Sequence, residues 1–333
     1  MLVQTVAVGV CHSDLHVVEG NYPGAVGPIV LGHEAAGIVK AVGPDVTSVK
    51  PGDHVITCLS IFCGQCEYCL TGRPNLCLRV GLRRTDDQPP RLSRAGSAVH
   101  QFAELGAFAE EMLVHENATV GIRDDMPLDR AALIGCGVTT GVGAVFNTAM
   151  VRPGSTVVVI GCGGIGLNAI QGARIAGASR IFAVDALPPK LKIAQQFGAT
   201  DVVNAAEEDA VMAVLRATGG GVDYAFEAIG LKNTVEQSFA MLRTGGTATV
   251  IGLMRMGDKV ELPGIEFIME KTIQGSNMGS NRFRVDMPRY VQMYRDGGLM
   301  LDELVSDRIA LDDVQEAFRR LKAGEVSRSV VVF

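Results

Sequence analysis

From about Ser155 onward the chain repeats one arrangement: a short run rich in Val and Ile, a turn, then a stretch with apolar residues at helical spacing. The runs "STVVVI", "RIFAVD", "DVVN", "VDYAFE" and "GTATVIG" read as strands, with helices such as Asn168 to Ala176, Pro189 to Phe197 and Thr234 to Leu242 between them. Near-continuous apolar strands alternating with helices predict βα units on a parallel sheet covered on both faces. "KTIQGS" supplies a sixth strand. Between Leu31 and about Val120 the pattern is different. Short β-type runs ("GIVKAV", "HVITC", "EMLVH") are punctuated by turn signals such as "GPDV" and "KPGDH", which predicts a small antiparallel or barrel-like β domain. The tail from Asn277 carries two helical patterns and ends on "SRSVVVF", a strand expected to return to the first domain. No internal repeat is present. The segment from Arg79 to Gly106, with "TDDQPPR" in it, is expected to be a long surface loop.

The length of 333 residues exceeds what one hydrophobic core usually accommodates, so two domains are expected. A composition 47% hydrophobic and 20% charged, with forty glycines, fits a packed globular α/β protein. The net charge of −6 and the lack of a Lys/Arg cluster argue against a nucleic-acid partner. The uncharged run Ser155 to Ala173 contains five glycines as well as Ser, Thr, Asn and Gln, and reads as buried rather than membrane-spanning. "MLVQTVAVGV" has no basic leader, so a signal peptide is not supported and a cytoplasmic protein is expected. In that reducing compartment the eight cysteines read as metal ligands rather than disulfides.

Three groups of residues carry chemistry. Cys63, Cys66, Cys69 and Cys77 in "CGQCEYCLTGRPNLC" are separated by two, two and seven residues. Four thiolates from one compact loop suit tetrahedral zinc in a closed structural site. An iron–sulfur cluster would share the first two gaps, but the last gap is too long and no proline follows Cys77. The second group is dispersed: Cys11 in "GVCHSDLH", His33 in "LGHE" and Cys136 in "IGCGVTTG". Two cysteines and a histidine form a ligand set for catalytic zinc with one position left open. Ser13 could take a proton from a metal-bound alcohol, His16 could pass it on, and Asp14 could support the other ring nitrogen of His33. The third group is "STVVVIGCGGIGLNAI", where Gly161, Gly163 and Gly166 form G-x-G-x-x-G between a strand and a helix, with Gly164 and Ile165 inside it. Asp185 ends the next strand, which completes a dinucleotide-binding pattern suited to the ribose hydroxyls of NAD. The bland assignments are core packing for Cys58 and Cys162, structural roles for His54, His100 and His115, and packing as readily as substrate lining for Met254 and Met256.

These motifs resemble those of the zinc-dependent alcohol dehydrogenases of the medium-chain dehydrogenase/reductase family, and the resemblance extends over nearly the whole chain through "GVCHSDLH", "GHE", "CGQCEYC…C", "GCGVTTG", "GCGGIG" and "SRSVVVF". It implies an α/β fold of a GroES-like β domain interrupted by a Rossmann domain. Residues 1–137 would form the first part of the catalytic domain, with a zinc lobe at about 58–80. Residues 138–276 would bind NAD, and 277–333 would complete the catalytic domain. By position, Cys11, His33 and Cys136 resemble the catalytic zinc ligands, Glu34 the acid beside them, and Ser13 and His16 the proton relay. His12 and Arg328 match positions at the cofactor pyrophosphate, Asp185 and Lys190 those at the adenosine ribose, and Thr140 the residue against the nicotinamide. Two zinc ions per chain, NAD, an alcohol or aldehyde substrate, no membrane and a homodimer or homotetramer are implied.

The implied reaction is NAD-dependent oxidation of an alcohol: zinc lowers its pKa, Ser13 and His16 carry away the proton, and the alkoxide delivers hydride to the nicotinamide. A polyol or formaldehyde-adduct dehydrogenase on the same scaffold is an alternative, as is a catalytically silent NAD-binding relative. One departure stands out. Only ten residues precede Cys11, fewer than in the family. The opening strands of the β domain are therefore expected to be missing, with an unpaired sheet edge and a less protected metal site as the result.

Overall fold

The computed structural model describes residues 1–22, 27–82 and 88–333. The chain divides into one unit of Met1–Gly137 and Asn281–Phe333 and a second unit of Val138–Ser280.

The first unit is built on a sheet whose path runs Val305–Ile309, Arg328–Val332, Leu2–Gly9, Glu34–Ala41, His54–Thr57, Thr119–Ile122, with Glu111–Leu113 also paired to the first strand of the chain. The expectation of an unpaired sheet edge near the start is corrected here. Leu2–Gly9 is an interior strand, with Ala7 opposite Val332 on one side and Ala36 on the other. Val3, Ala7 and Val8 are fully buried, so "LVQTVAVG" reads in hindsight as an apolar strand. Val3 and Val8, together with Val39, Val55, Met112 and Val331, form the core onto which the helix Val314–Ala323 lays Phe318 and Leu321.

The long surface loop expected between Arg79 and Gly106 is also corrected. Leu92–Arg94 and Ser97–Gln101 form a hairpin closed by Ala95 and Gly96, both at positive φ, and Ser97–Gln101 pairs in parallel with Ile29–Val30. That combination of angles is the two-residue turn whose twist matches paired strands. Phe102 and Leu105 beyond it are buried. Residues 83–87, which include the start of "TDDQPPR", lie outside the described residues.

The second unit is a six-stranded parallel sheet in the order Asp201–Asn204, Arg180–Asp185, Thr156–Ile160, Val222–Glu227, Leu242–Val250, Thr272–Gly275. The helices Gly164–Ile175, Pro188–Gln196, Ala210–Thr218 and Lys232–Ala240 follow the first four strands in sequence. Phe182 and Phe239, both within 1% of full burial, pack with Val158, Val214 and Ala225. Burying each such ring contributes about 1.5–3 kcal/mol. The strand order reverses at Thr156–Ile160, with neighbours on both sides that follow it in sequence, and such switch points are where open α/β sheets bind ligands. The run Ser155 to Ala173 is a buried strand, turn and helix, as its glycines suggest. Among the described residues one helical stretch, Leu128–Thr148, is long and apolar enough to cross a bilayer, and it is mostly buried inside the protein.

Candidate functional site

In the first unit, Cys11 ends the turn after the strand Leu2–Gly9 and precedes the short helix His12–Val18. His33 and Glu34 stand at the start of the neighbouring strand, and Cys136 lies on a wide helical turn, Ile134–Val138. Widened turns of this kind recur at functional sites because they re-aim one side chain without ending the helix. One ligand atom each from Cys11, His33, Glu34 and Cys136 falls within 4.8 Å of every other. All four residues are buried, His33 and Glu34 completely.

The electrostatics of this cluster call for a cation. The hydrogen bond between the two thiols holds Cys11 well below the usual thiol range, and the same bond together with burial pushes Cys136 well above it. Burial raises Glu34 to about 8, although Arg328 opposes the rise. The Arg328 guanidinium, itself 3% exposed, lies 3.6 Å from Glu34 Oε1 and 3.9 Å from Cys11 Sγ. The Cys11 bond and burial thus push Cys136, and burial pushes Glu34, towards their neutral forms, and buried polar atoms left without a partner are costly, a cost that a bound cation would relieve. His33 Nε2 and both Glu34 carboxylate oxygens are buried without a hydrogen-bond partner. A borderline-soft divalent ion with Cys₂His ligands fits that set of orphaned donors.

The residues around the cluster fix its geometry. Asp14, fully buried, accepts from the Gly32 amide at 2.8 Å through Oδ1 and lies 3.1 Å from His33 Nδ1 through Oδ2. Against the burial that lowers it, the Asp14 carboxylate and Cys11 raise the His33 pKa well above its usual value. Gly32 holds φ +90, and a Cβ there would meet the Phe108 amide nitrogen at 2.5 Å, so only glycine allows this approach beside His33. The Ser13 hydroxyl is 3.8 Å from Cys11 Sγ. His16 follows Ser13 by three residues on the same helix, and its Nδ1 is buried without a partner.

The four-cysteine group also converges. Sulfur separations are 3.6 Å for Cys66 and Cys69, 3.8 Å for Cys66 and Cys77, and 4.0 Å for Cys63 and Cys69. A tetrahedron with metal–sulfur bonds of about 2.3 Å has edges of about 3.8 Å. The Cys77 sulfur accepts from the amides of Cys63 and Arg79, both at 3.1 Å. Amides of Leu78 and Cys69 hold Cys66 down at about 6, the direction a thiolate ligand requires.

In the second unit, Gly161 has φ +94 and a Cβ on Gly166 would come within 1.7 Å of the Gly161 carbonyl oxygen, so the strand-to-helix turn is closed to larger residues. A Cβ on Gly163 would meet nothing within 4 Å, which leaves open space above the turn. Gly164 and Ile165 open the helix. Asp185 accepts from the Cys162 amide at 2.8 Å and the Leu187 amide at 3.0 Å, which pins its carboxylate beside the turn. Lys190 is half-buried on the following helix, and Thr140 donates to Met278 Sδ at 3.3 Å. His12 is exposed at the start of its helix. Cys58 and Cys162 are buried, and burial pushes Cys58 up to about 12. The reading of the sequence passed over Gly32, Arg79, Phe102 and Glu104, which border the two cysteine sites. The AG turn flanked by β-type residues was the available signal for that segment.

Comparison with known proteins agrees with this chemistry. Residues 1–124 match the alcohol dehydrogenase GroES-like domain, and residues 164–294 match the zinc-binding dehydrogenase domain. An S-(hydroxymethyl)glutathione dehydrogenase of Haemophilus influenzae is 37% identical over 99% of this chain and 89% of its own length. Two solved structures, each 35% identical over 100% of this chain and 91% of theirs, superpose closely. They are a Burkholderia ambifaria alcohol dehydrogenase zinc-binding domain protein with a TM-score of 0.94, and the benzyl alcohol dehydrogenase of Acinetobacter calcoaceticus with 0.93. Zinc and NAD are the cofactors, and the reaction class is oxidation of an alcohol. With motifs, fold and donor sets in agreement, the chain belongs to the zinc-dependent alcohol dehydrogenases of the medium-chain dehydrogenase/reductase family.

Proposed function

We propose that this chain oxidises primary alcohols to aldehydes with NAD, and catalyses the reverse reduction, at the cluster of Cys11, His33 and Cys136. The observation that carries the reading is the convergence of these donors with Glu34 inside 4.8 Å, all buried, with His33 Nε2 and both Glu34 oxygens lacking a hydrogen-bond partner. Cys11, His33 and Cys136 would hold the catalytic zinc, and Cys63, Cys66, Cys69 and Cys77 the structural one. When bound, zinc supplies Lewis acidity that lowers the pKa of an alcohol, and NAD accepts the hydride. Ser13 takes the proton from the substrate hydroxyl and His16 receives it from Ser13. Asp14 fixes the His33 ring, and Glu34 sits close enough to exchange with a ligand. Asp185 and Lys190 select the adenosine ribose, Gly161, Gly163, Gly164, Ile165 and Gly166 admit the pyrophosphate with His12 and Arg328 as donors, and Thr140 packs the nicotinamide.

A formaldehyde-adduct substrate is the second reading, because relatives 37% identical are S-(hydroxymethyl)glutathione dehydrogenases. A benzyl-type alcohol is favoured by the structural likeness and by the aromatic ring of Phe102 near His33, with Tyr22 edge-on to Phe102. Eight free cysteines suit the cytoplasm. A homodimer or homotetramer is supported by the exposed Ile265 and Ile268 next to the edge strand Thr272–Gly275. The test is zinc per chain paired with NADH formation on ethanol, benzyl alcohol, a polyol, and formaldehyde with glutathione. Two zincs with turnover support the reading, and the best substrate selects between its forms. One zinc without turnover would leave a catalytically silent NAD-binding protein.

A further inference from the structure

The four-cysteine lobe and His33 are joined by a short chain of contacts that neither metal site requires. Cys77 Sγ accepts from the Arg79 amide at 3.1 Å, and Arg79 sits in the left-handed region at φ 55. Its guanidinium leaves the lobe, donating to Glu104 Oε1 at 2.7 Å and to the Leu59 carbonyl at 3.0 Å. Arg91 approaches the other Glu104 oxygen at 3.6 Å. The Arg79 and Glu104 side chains are only 23% and 21% exposed.

Glu104 ends the turn Phe102–Glu104, where Ala103 and Glu104 hold φ of 54 and 59. Two consecutive residues with a Cβ persist in that conformation only where their surroundings enforce it. The turn presents the Phe102 ring edge-on to His33, with centroids 5.4 Å apart and planes at 88°. Just beyond, the Ala107 amide donates to the Gly32 carbonyl and the Phe108 amide to the Leu31 carbonyl, both at 2.9 Å. The His33 ring is therefore held by Asp14 at Nδ1 and by Phe102 against its edge or face.

We infer that Glu104 is a positioning residue, holding the Phe102 turn against His33 and thereby linking the catalytic metal site to the state of the four-cysteine lobe. The inference rests on the reading of Cys11, His33 and Cys136 as metal ligands. When Glu104 loses its charge, or the lobe loses its metal, the Phe102 turn relaxes and the His33 ring gains freedom.

The test follows release of zinc from the fully loaded chain into excess chromophoric chelator. The phase absent from Cys11→Ser belongs to the catalytic site, and the phase absent from Cys66→Ser to the lobe. Glu104→Gln is expected to speed the catalytic phase about fivefold, below the 10- to 100-fold typical for a direct partner of a metal ligand, with the lobe phase within about twofold. Cys66→Ser is expected to speed the catalytic phase likewise, and Glu104→Asp to restore part of the loss. The cobalt-substituted catalytic site of Glu104→Gln should show altered d–d bands. An unchanged catalytic phase beside a lowered Tm would reduce Glu104 to an ordinary stabilising contact and overturn the inference. A wild-type protein whose release is unaltered by Cys11→Ser would overturn the metal-site reading itself. Should Glu104→Gln not fold, Phe102→Leu reads the same phase with the same expected and overturning results.

Discussion

Replacing Asp14 by Asn changes one atom type in a fully buried side chain and leaves its shape intact. In the native protein one carboxylate oxygen accepts from the Gly32 amide at 2.8 Å, and the other lies at ion-pair distance, 3.1 Å, from His33 Nδ1. An asparagine has one acceptor oxygen and one NH₂ group, so in either orientation its NH₂ must confront another N–H. If it keeps the Gly32 bond, the His33 ring loses the anion that fixes its tautomer. A buried carboxylate at ion-pair distance from a metal-ligating imidazole fixes its ring and tautomer, and one decade of affinity corresponds to about 1.36 kcal/mol. A loss of roughly 10- to 100-fold is typical of removing a support behind a metal-bound histidine. Asp14→Asn is thus expected to weaken zinc at Cys11, His33 and Cys136 by roughly 10- to 100-fold while the lobe zinc stays bound. Equilibrium competition against a chelator measures both sites in one sample, with the lobe as internal reference. Affinity within about threefold of wild type in a correctly folded variant would refute the argument, because the predicted loss is at least about one decade.

Gly166→Ala would put a Cβ 1.7 Å from the Gly161 carbonyl oxygen, so the turn must move at a cost of about 1–3 kcal/mol or more; NADH fluorescence titration should show at least about tenfold weaker binding. Asp185→Ser removes the acceptor of the Cys162 and Leu187 amides and the proposed ribose acid, and the NAD-to-NADP ratio of kcat/KM should fall by about tenfold or more, an unchanged ratio counting against the assignment. Burial raises the Asp129 pKa, but its bonds to Arg130 and Arg308 outweigh this and hold it below the usual carboxylate value. Its contribution is therefore full above about pH 4 and is lost as pH falls through the folded pKa, so the urea-midpoint gap between wild type and Asp129→Asn should be larger at about pH 7 than at about pH 3.

The Rossmann sheet was the most legible part of the chain because its signals are local. Each strand from "STVVVI" to "KTIQGS" is a compact apolar run, and the glycines at 161, 163 and 166 lie beside the strand they terminate. The four cysteines were legible for the same reason, since their spacing keeps all the donors in one loop. Leu2–Gly9 was harder to read. Its partners are Arg328–Val332 and Glu34–Ala41, and no pattern within ten residues can announce pairing at that separation. The hairpin at Ala95 and Gly96 was obscured by its polar faces, because Ser93, Arg94, Ser97 and His100 lack the alternation of a half-buried strand. Phe102 and Glu104 act through a turn of non-glycine residues at positive φ, a conformation that sequence does not advertise.

The pairing of the first and last strands has a consequence for synthesis on the ribosome. Val8 lies opposite Val331, and the Phe333 amide donates to the Val6 carbonyl, so the first unit joins segments more than three hundred residues apart. Val138–Ser280 is continuous and emerges whole while Arg328–Val332 is still untranslated. Folding domain by domain as synthesis proceeds then favours completing the nucleotide sheet first. The segment carrying Cys11 must wait, bordered by an open strand, until Arg328 arrives to place its charge beside Glu34. Loading of metal at that cluster in its final form is in this way a late event in the life of each new polypeptide.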